Sequence, residues 1–378
     1  MRALLLVSPS LAGGVVLCAF AGLAQAAAPL QHAFSVTTGL EFDSNPALVA
    51  GGAGVQRWRA NPQYTLSSQA GATEWSLVAA GQIERSDNAA LSADRNDPSL
   101  RFAWQQASAT SSLGLNASYV QASTRATEFE EFGFVTADRT QTTQGLGLSW
   151  RQAVAERQSL SASVNHQWVD YDTQALLPYR VLSGNAAWSL ALSEQETLSL
   201  TLNAGRYTPG DSPLLPSAAA SRQWGFMAGY AANLTPNLQW QVQGGLVRVA
   251  GANRDSTWQG GLQLAHKGQR LDTTLNLSRS VVTSAALTGF APSNSLRAQW
   301  TYAVSDRTRG TFSVSHTRSA ASGAAATSGS TVALGVDTEL SPFWRAGVSV
   351  QHKTSRRAAV QANGHVVSAT LTYTHPDF

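Results

Sequence analysis

From about residue 33 to the C-terminus, runs of roughly ten residues alternate apolar with polar side chains. Leu198, Leu200 and Leu202 alternate with Ser199, Thr201 and Asn203, and Leu160, Ala162 and Val164 with Ser161, Ser163 and Asn165. Successive side chains of a strand point to opposite faces, so this period predicts strands whose two faces meet different surroundings. Eighteen such strands are predicted, centred near Leu40, Tyr64, Val78, Ala103, Ala117, Leu146, Val164, Ala186, Leu200, Ala228, Val242, Leu262, Leu275, Ala298, Phe312, Leu334, Val348 and Ala369.

The links between them alternate in length. Eight are short, as at Gln69 to Ala72, Ser193 to Gln195 and Ser341 to Phe343. Nine are longer, among them Ser44 to Gln56, Asp87 to Pro98, Thr124 to Asp138, Ser284 to Pro292 and Ser355 to Gly364. An even-stranded up-and-down barrel has this pattern when both chain ends lie on its short-turn side. The expected fold is therefore all-β, a transmembrane antiparallel barrel with short periplasmic turns and longer extracellular loops, over residues 33–378.

A secreted β-sandwich or β-solenoid also alternates, but its solvated face usually carries Lys and Glu. Here Asp, Glu, Lys and Arg make up only 13% of the chain, against roughly 25% in soluble domains. Tryptophans add to the contrast. Trp75, Trp150, Trp188, Trp240, Trp300 and Trp344 fall near short connectors, and Trp58, Trp168, Trp224 and Trp258 near long ones, with Trp104 read as mid-strand. Two aromatic belts at two water interfaces suit a membrane barrel, because indole is apolar with one polar N–H.

Residues 1–26 carry one charge, Arg2, an apolar stretch from Val15 to Leu23 and the small-residue site Ala24-Gln25-Ala26, which predicts a cleaved signal peptide. Residues 27–32 would form a short periplasmic lead. The single cysteine, Cys18, lies in the leader, so the mature chain has no disulfide and no thiolate metal site. No cofactor or metal site is expected, since the seven histidines are scattered singly. Beyond the leader 25 basic residues face 23 acidic ones, and only Lys267 and Lys353 are lysines, which gives no nucleic-acid footprint. Gly210-Asp211-Ser212 is a superficial likeness to an esterase nucleophile block without its partner Asp-x-x-His, and no enzyme is expected.

An arginine at the lipid-facing midplane costs roughly 2–4 kcal/mol, so charge placement tests the face assignment. Glu74, Arg101, Asp272, Arg297, Arg309, Asp337 and Arg345 fall on the polar parity, and with Arg57, Arg59 and Glu339 they are the expected pore-lining charges, Glu41 and Glu84 sharing their face. Arg206, Arg248 and Arg279 fall on the apolar parity near long loops, where side chains snorkel or where a bulge at Gly244-Gly245 shifts register. Both charge signs line the lumen, which argues against a strongly ion-selective filter; their pairing across a plugged interior is the other reading. The third long connector contains Glu128, Phe129, Glu130, Glu131, Phe132 and Phe134. Aromatics among carboxylates suit sugar contact or a constriction folded inward, while packing on the rim is the plainer alternative.

At the first strand, Thr38-Gly39-Leu40-Glu41-Phe42-Asp43-Ser44-Asn45-Pro46 resembles the opening strand of the β-barrel porin type 2 group, outer-membrane proteins that accompany exopolysaccharide or capsule secretion. The resemblance implies an outer-membrane conduit or accessory pore for polysaccharide, working with a periplasmic polysaccharide exporter. A general or sugar-specific diffusion porin shares the same features, as does a plugged structural or adhesive barrel. Expected partners are outer-membrane lipid and the barrel insertion machinery, which reads a terminal aromatic. Here Phe378 follows Pro376 and is out of parity with Tyr373.

Overall fold

The computed structural model describes residues 30–133, 138–211, 219–251, 255–284, 289–320, 326–357 and 360–375. The leader, Phe134, Ser212 and Pro376 to Phe378 lie outside the described residues. Eighteen strands follow in chain order: β1 (Gln31–Asp43), β2 (Val55–Ala70), β3 (Thr73–Ser86), β4 (Arg95–Ala107), β5 (Ser111–Ser123), β6 (Thr140–Ala155), β7 (Gln158–Tyr171), β8 (Tyr179–Ala191), β9 (Glu196–Pro209), β10 (Ser221–Thr235), β11 (Leu238–Ala250), β12 (Asp255–Lys267), β13 (Leu271–Ser284), β14 (Gly289–Ala303), β15 (Thr308–Ser319), β16 (Thr327–Glu339), β17 (Trp344–Arg357) and β18 (Val360–His375). One helix, α1 (Thr124–Phe132), follows β5. Each predicted strand centre lies in the strand of the same rank.

Every strand pairs antiparallel with its sequence neighbours, and β1 pairs with β18 from Phe34↔His375 to Asp43↔Val366, closing the sheet into a barrel. Closure leaves no unpaired edge, so backbone donors and acceptors are satisfied within the wall, as a lipid environment demands. The register carries one face around the circumference: Glu41 lies opposite Arg57 and Arg59 opposite Glu84, while Leu40 lies opposite Trp58. The outward face is apolar and open, with Leu40 at 67% and Leu246 at 70% exposure.

Aromatic residues gather at both rims. At the short-turn end Trp75 pairs with Trp104, Trp300 stacks on Phe312 at 5.3 Å and Trp344 lies 5.0 Å from Tyr373. Trp104 therefore belongs to the short-turn belt rather than mid-strand, because β4 ends three residues later at Ala107.

Three long connectors are shorter than the pattern predicts. β4 starts at Arg95 and β14 at Gly289, while β17 and β18 pair as far as Arg357↔Val360. Charges and prolines suggested loop, but Arg95 and Asp97 face inward and pair with each other at 2.8 Å. Pro98 and Pro292 sit in stretches paired on one side only, since β4–β5 pairing starts at Ser99 and β14–β15 pairing at Ser293. There a missing N–H removes no ladder bond. No register shift occurs at Gly244-Gly245; β10–β11 shifts only between Asn233 and Thr235. The two glycines instead lie in a regular ladder, and a Cβ on Gly245 would strike the Phe226 carbonyl.

Leu202, near the middle of β9 and 60% exposed, tests the outward face. Leu202→Arg is expected to cost ~2–4 kcal/mol in folding into lipid vesicles, and Thr201→Arg, one residue back and inward, far less. Equal losses in a urea titration of vesicle-inserted protein would contradict the assigned faces.

Candidate functional site

At the long-loop end of the lumen, side chains from distant strands converge. Glu41, Asp43, Arg57, Arg59, Glu84, Arg95 and Asp97 all fall on the inward parity of β1 to β4. Arg57, 2% exposed, contacts Glu41, Asp43 at 2.9 Å and Glu84 at 3.6 Å. Arg59 contacts Glu41 and lies 3.0 Å from Glu84. From across the barrel seam Lys353 on β17 reaches Asp43 at 3.0 Å. Arg125, in the first turn of α1, pairs with Glu84 at 2.9 Å and with Asp138 at 3.5 Å, and Asp138 also meets Arg95 at 3.6 Å. Five cations and five carboxylates thus form one connected, charge-balanced network. Balance matters here, because burying an unpaired charge costs far more than burying a pair.

The third connector holds a helix where a loop was expected. Ser123 caps α1, its hydroxyl accepting from the Arg125 N–H at 3.2 Å, and Gly133 ends it in the left-handed conformation at φ 77°. The helix leaves β5 and reaches the opposite wall. Thr317 on β15 donates to the Glu130 carbonyl at 3.3 Å, and Ser355 on β17 donates to the Gly133 carbonyl at 2.7 Å. Gly133 lies against Gly329 on β16, and a Cβ on either would enter the other's backbone. Since β5 and β16 are seven strands apart by the shorter arc, α1 lies across the lumen.

Two cavities flank it. One, of about 470 Å³, lies between α1 and the β1–β2 and β14–β18 walls, bordered by Arg59, Phe129, Glu130, Arg297, Gln351 and Lys353. The other, of about 400 Å³, lies towards β8, β10 and β13, and Glu130, Arg297 and Thr317 border both. Beyond it an apolar cluster of Val169, Leu176, Tyr179 and Tyr207, with Phe290 against Tyr207, fills the β7–β9 side of the mouth. Next to that cluster Asn203 Oδ1, Tyr207 OH, Ser221 Oγ, Gln223 Oε1 and Gln259 Nε2 are buried without a protein hydrogen-bond partner.

All ten charges named as pore-lining have the inward parity. Arg57 and Arg59 belong to the buried network, and Arg297 stands at the cavities. Glu74, Arg101, Asp272, Arg309, Asp337, Glu339 and Arg345 lie apart from these, in the middle and short-turn parts of the lumen; Arg345 and Glu339 form an exposed pair at 2.9 Å. Of the third connector, Glu128 is buried, Phe129 and Glu130 border the cavities, and Glu131 and Phe132 belong to α1. The network partners Asp43, Arg95, Asp97, Arg125, Asp138 and Lys353 were not singled out from sequence. Parity alone would have added Asp43, which shares a face with Glu41. Among the described residues no group of three or more His, Cys, Asp or Glu is placed to hold a metal.

No protein-family model and no curated protein matches the sequence. Solved structures do. The outer membrane protein OpdK from Pseudomonas aeruginosa is 13% identical with a TM-score of 0.51, over 91% of this chain and 99% of that one. OccK2 (OpdF) from the same organism is 11% identical with a TM-score of 0.52, over 92% and 98%. The FrpB iron transporter from Neisseria meningitidis is 11% identical with a TM-score of 0.49, and the match spans 86% of this chain but only 62% of FrpB. At these identities the first two likenesses speak for architecture: the chain has the closed eighteen-stranded fold of outer-membrane β-barrels.

Proposed function

We propose that the protein is an outer-membrane channel for hydrophilic solutes, narrowed at its long-loop mouth by α1. The observation that carries this reading is α1 itself, tied to both walls across the lumen with a polar cavity on either side. Barrels of 16–18 strands are wide enough to leave an aqueous passage unless something fills it. The lumen wall is rich in hydroxyls, amides and isolated charges, and the unpaired amide and hydroxyl groups near Gln223 suit water or the hydroxyls of a passing solute. Planar-bilayer recording tests it: the intact protein should conduct, and deleting residues 127–135 should raise single-channel conductance severalfold. No conductance in either form would favour a plugged structural barrel, and an unchanged value after the deletion would sink the constriction.

Within this reading the cargo we infer is exopolysaccharide leaving the cell, with sugar uptake by diffusion as the alternative. Its support is the first-strand likeness. The structure also gives those residues work of their own. Glu41 and Asp43 hold the ion network, Ser44 bonds His365 across the β1–β18 seam, and Asn45 donates to the Asn363 carbonyl at 2.9 Å. Disrupting the gene in its source strain should lower surface polysaccharide, and neighbouring glycosyltransferase and export genes should accompany it. Normal surface polysaccharide with impaired growth on a sugar would favour uptake.

A further inference from the structure

Charge on the outward face gathers near its long-loop rim, where it is almost all arginine; at the short-turn rim the outward parity carries Glu196, which accepts from the Tyr230 hydroxyl at 2.6 Å. Four of these residues lie on four consecutive strands: Arg180 on β8, Arg206 on β9, Arg222 on β10 and Arg248 on β11. All four have the lipid-facing parity and are exposed. Arg206 and Arg222 are direct cross-strand partners. Like charges so placed repel, because opposed residues have Cα atoms only about 4.5–5.5 Å apart. Arg180 and Arg248 flank that pair one register step away, opposite Thr208 and Trp224 respectively. Among the described residues Asp170, Asp172 and Asp211 form no ion pair with any of them. At the short-turn end no strand arginine faces outward among the described residues; Arg157, Arg270 and Arg307 sit in the turns.

Depth identifies what this cluster meets. Tryptophan settles at the headgroup level of a bilayer, and Arg180 lies directly opposite Trp168 as Arg248 does opposite Trp224. The guanidinium groups therefore stand among lipid headgroups rather than in open solution. Four strands at about 4.8 Å spacing spread them over about 14 Å, room for more than one phosphate. Arginine binds phosphate bidentately and keeps its charge at every physiological pH. The geometry points to a binding site on the outer wall of β8–β11 for a lipid headgroup that carries two or more phosphates, in the leaflet on the long-loop side. Such a ligand relieves the Arg206–Arg222 repulsion that the protein leaves uncompensated. The inference rests on membrane placement of the barrel but not on conduction.

The test uses full-length mature protein in phosphatidylcholine nanodiscs and measures binding of diphosphorylated lipid A by native mass spectrometry. The wild type should retain it, and the double variant Arg206→Gln/Arg222→Gln should bind at least tenfold more weakly, while the turn variant Arg157→Gln binds as the wild type does. Enzymatically dephosphorylated lipid A should also bind at least tenfold more weakly. Heat-modifiable gel mobility checks folding, and if the double variant fails it, Arg206→Gln and Arg248→Gln are measured singly with a severalfold loss expected from each. Equal binding of the dephosphorylated lipid, or unchanged binding by the arginine variants, overturns the site. Inorganic pyrophosphate that displaces lipid A at matching concentration overturns the assignment to a lipid. Conductance is expected to be the same in wild type and double variant, so failure here leaves the channel reading intact.

Discussion

Glu84→Gln is expected to destabilise the folded barrel by ~3–5 kcal/mol, the usual cost of removing one partner from a buried ion pair. Glu84 is 0% exposed and lies among Arg57, Arg59 and Arg125, with the Ser92 hydroxyl donating to it at 3.1 Å. The substitution keeps shape and volume and removes only charge, leaving five cations against four carboxylates around a position closed to solvent. Burial, not the existence of an ion pair, sets the size of the effect. Arg345 and Glu339 approach to 2.9 Å as well, but their side chains are 52% and 43% exposed. Solvent screens that pair, so Glu339→Gln should cost less than ~1 kcal/mol. The denaturant midpoint for loss of the heat-modifiable band measures both, and similar shifts would refute the role assigned to the network. Glu84→Gln also loosens Arg125, so it should make channel openings noisier, whereas Glu339→Gln should not.

This network marks the limit of what the residue pattern discloses. Strand number and facing were legible because they repeat locally: one side of each strand meets lipid, and a period of two is visible within six residues. Ionisable groups that keep to the other parity away from the rims gave the lumen. Partnership is different. Asp43 and Lys353 are 310 positions apart and meet only because β1 closes on β18. Arg125 finds Glu84 only because α1 turns inward. Connector lengths depart from the residue pattern for a related reason. Arg95, Asp97 and Pro98 have loop composition, yet the lumen accepts paired charge and a half-paired strand accepts proline. α1 itself is short, with neither an acidic first turn nor a basic last one, and its position is fixed by contacts with β15 to β17 rather than by its own sequence.

Those contacts make Gly133→Val the variant expected to open the mouth. Two separate costs fall on one position. At φ 77° a β-branched residue is strained, by about 1–3 kcal/mol, because its side chain crowds the carbonyl in the left-handed region. The added Cβ would also enter the backbone of Gly329, which belongs to the ladder of β16 and cannot retreat without breaking it. The hydrogen bonds from Ser355 and Thr317 are too few to offset both costs, so the C-terminal end of α1 should leave the far wall while Arg125 still anchors its start. Conductance should then rise towards that of the 127–135 deletion, with the denaturant midpoint of the strand ladder little changed. Gly71, in the β2–β3 turn at φ 57°, separates the two costs, since nothing lies within 4 Å of a Cβ built there. Gly71→Val carries backbone strain alone and should leave conductance unaltered. If Gly133→Val conducts like the wild type while the deletion conducts more, the seal is made by the body of α1 around Phe129 and Glu130, not by its contact with Gly329.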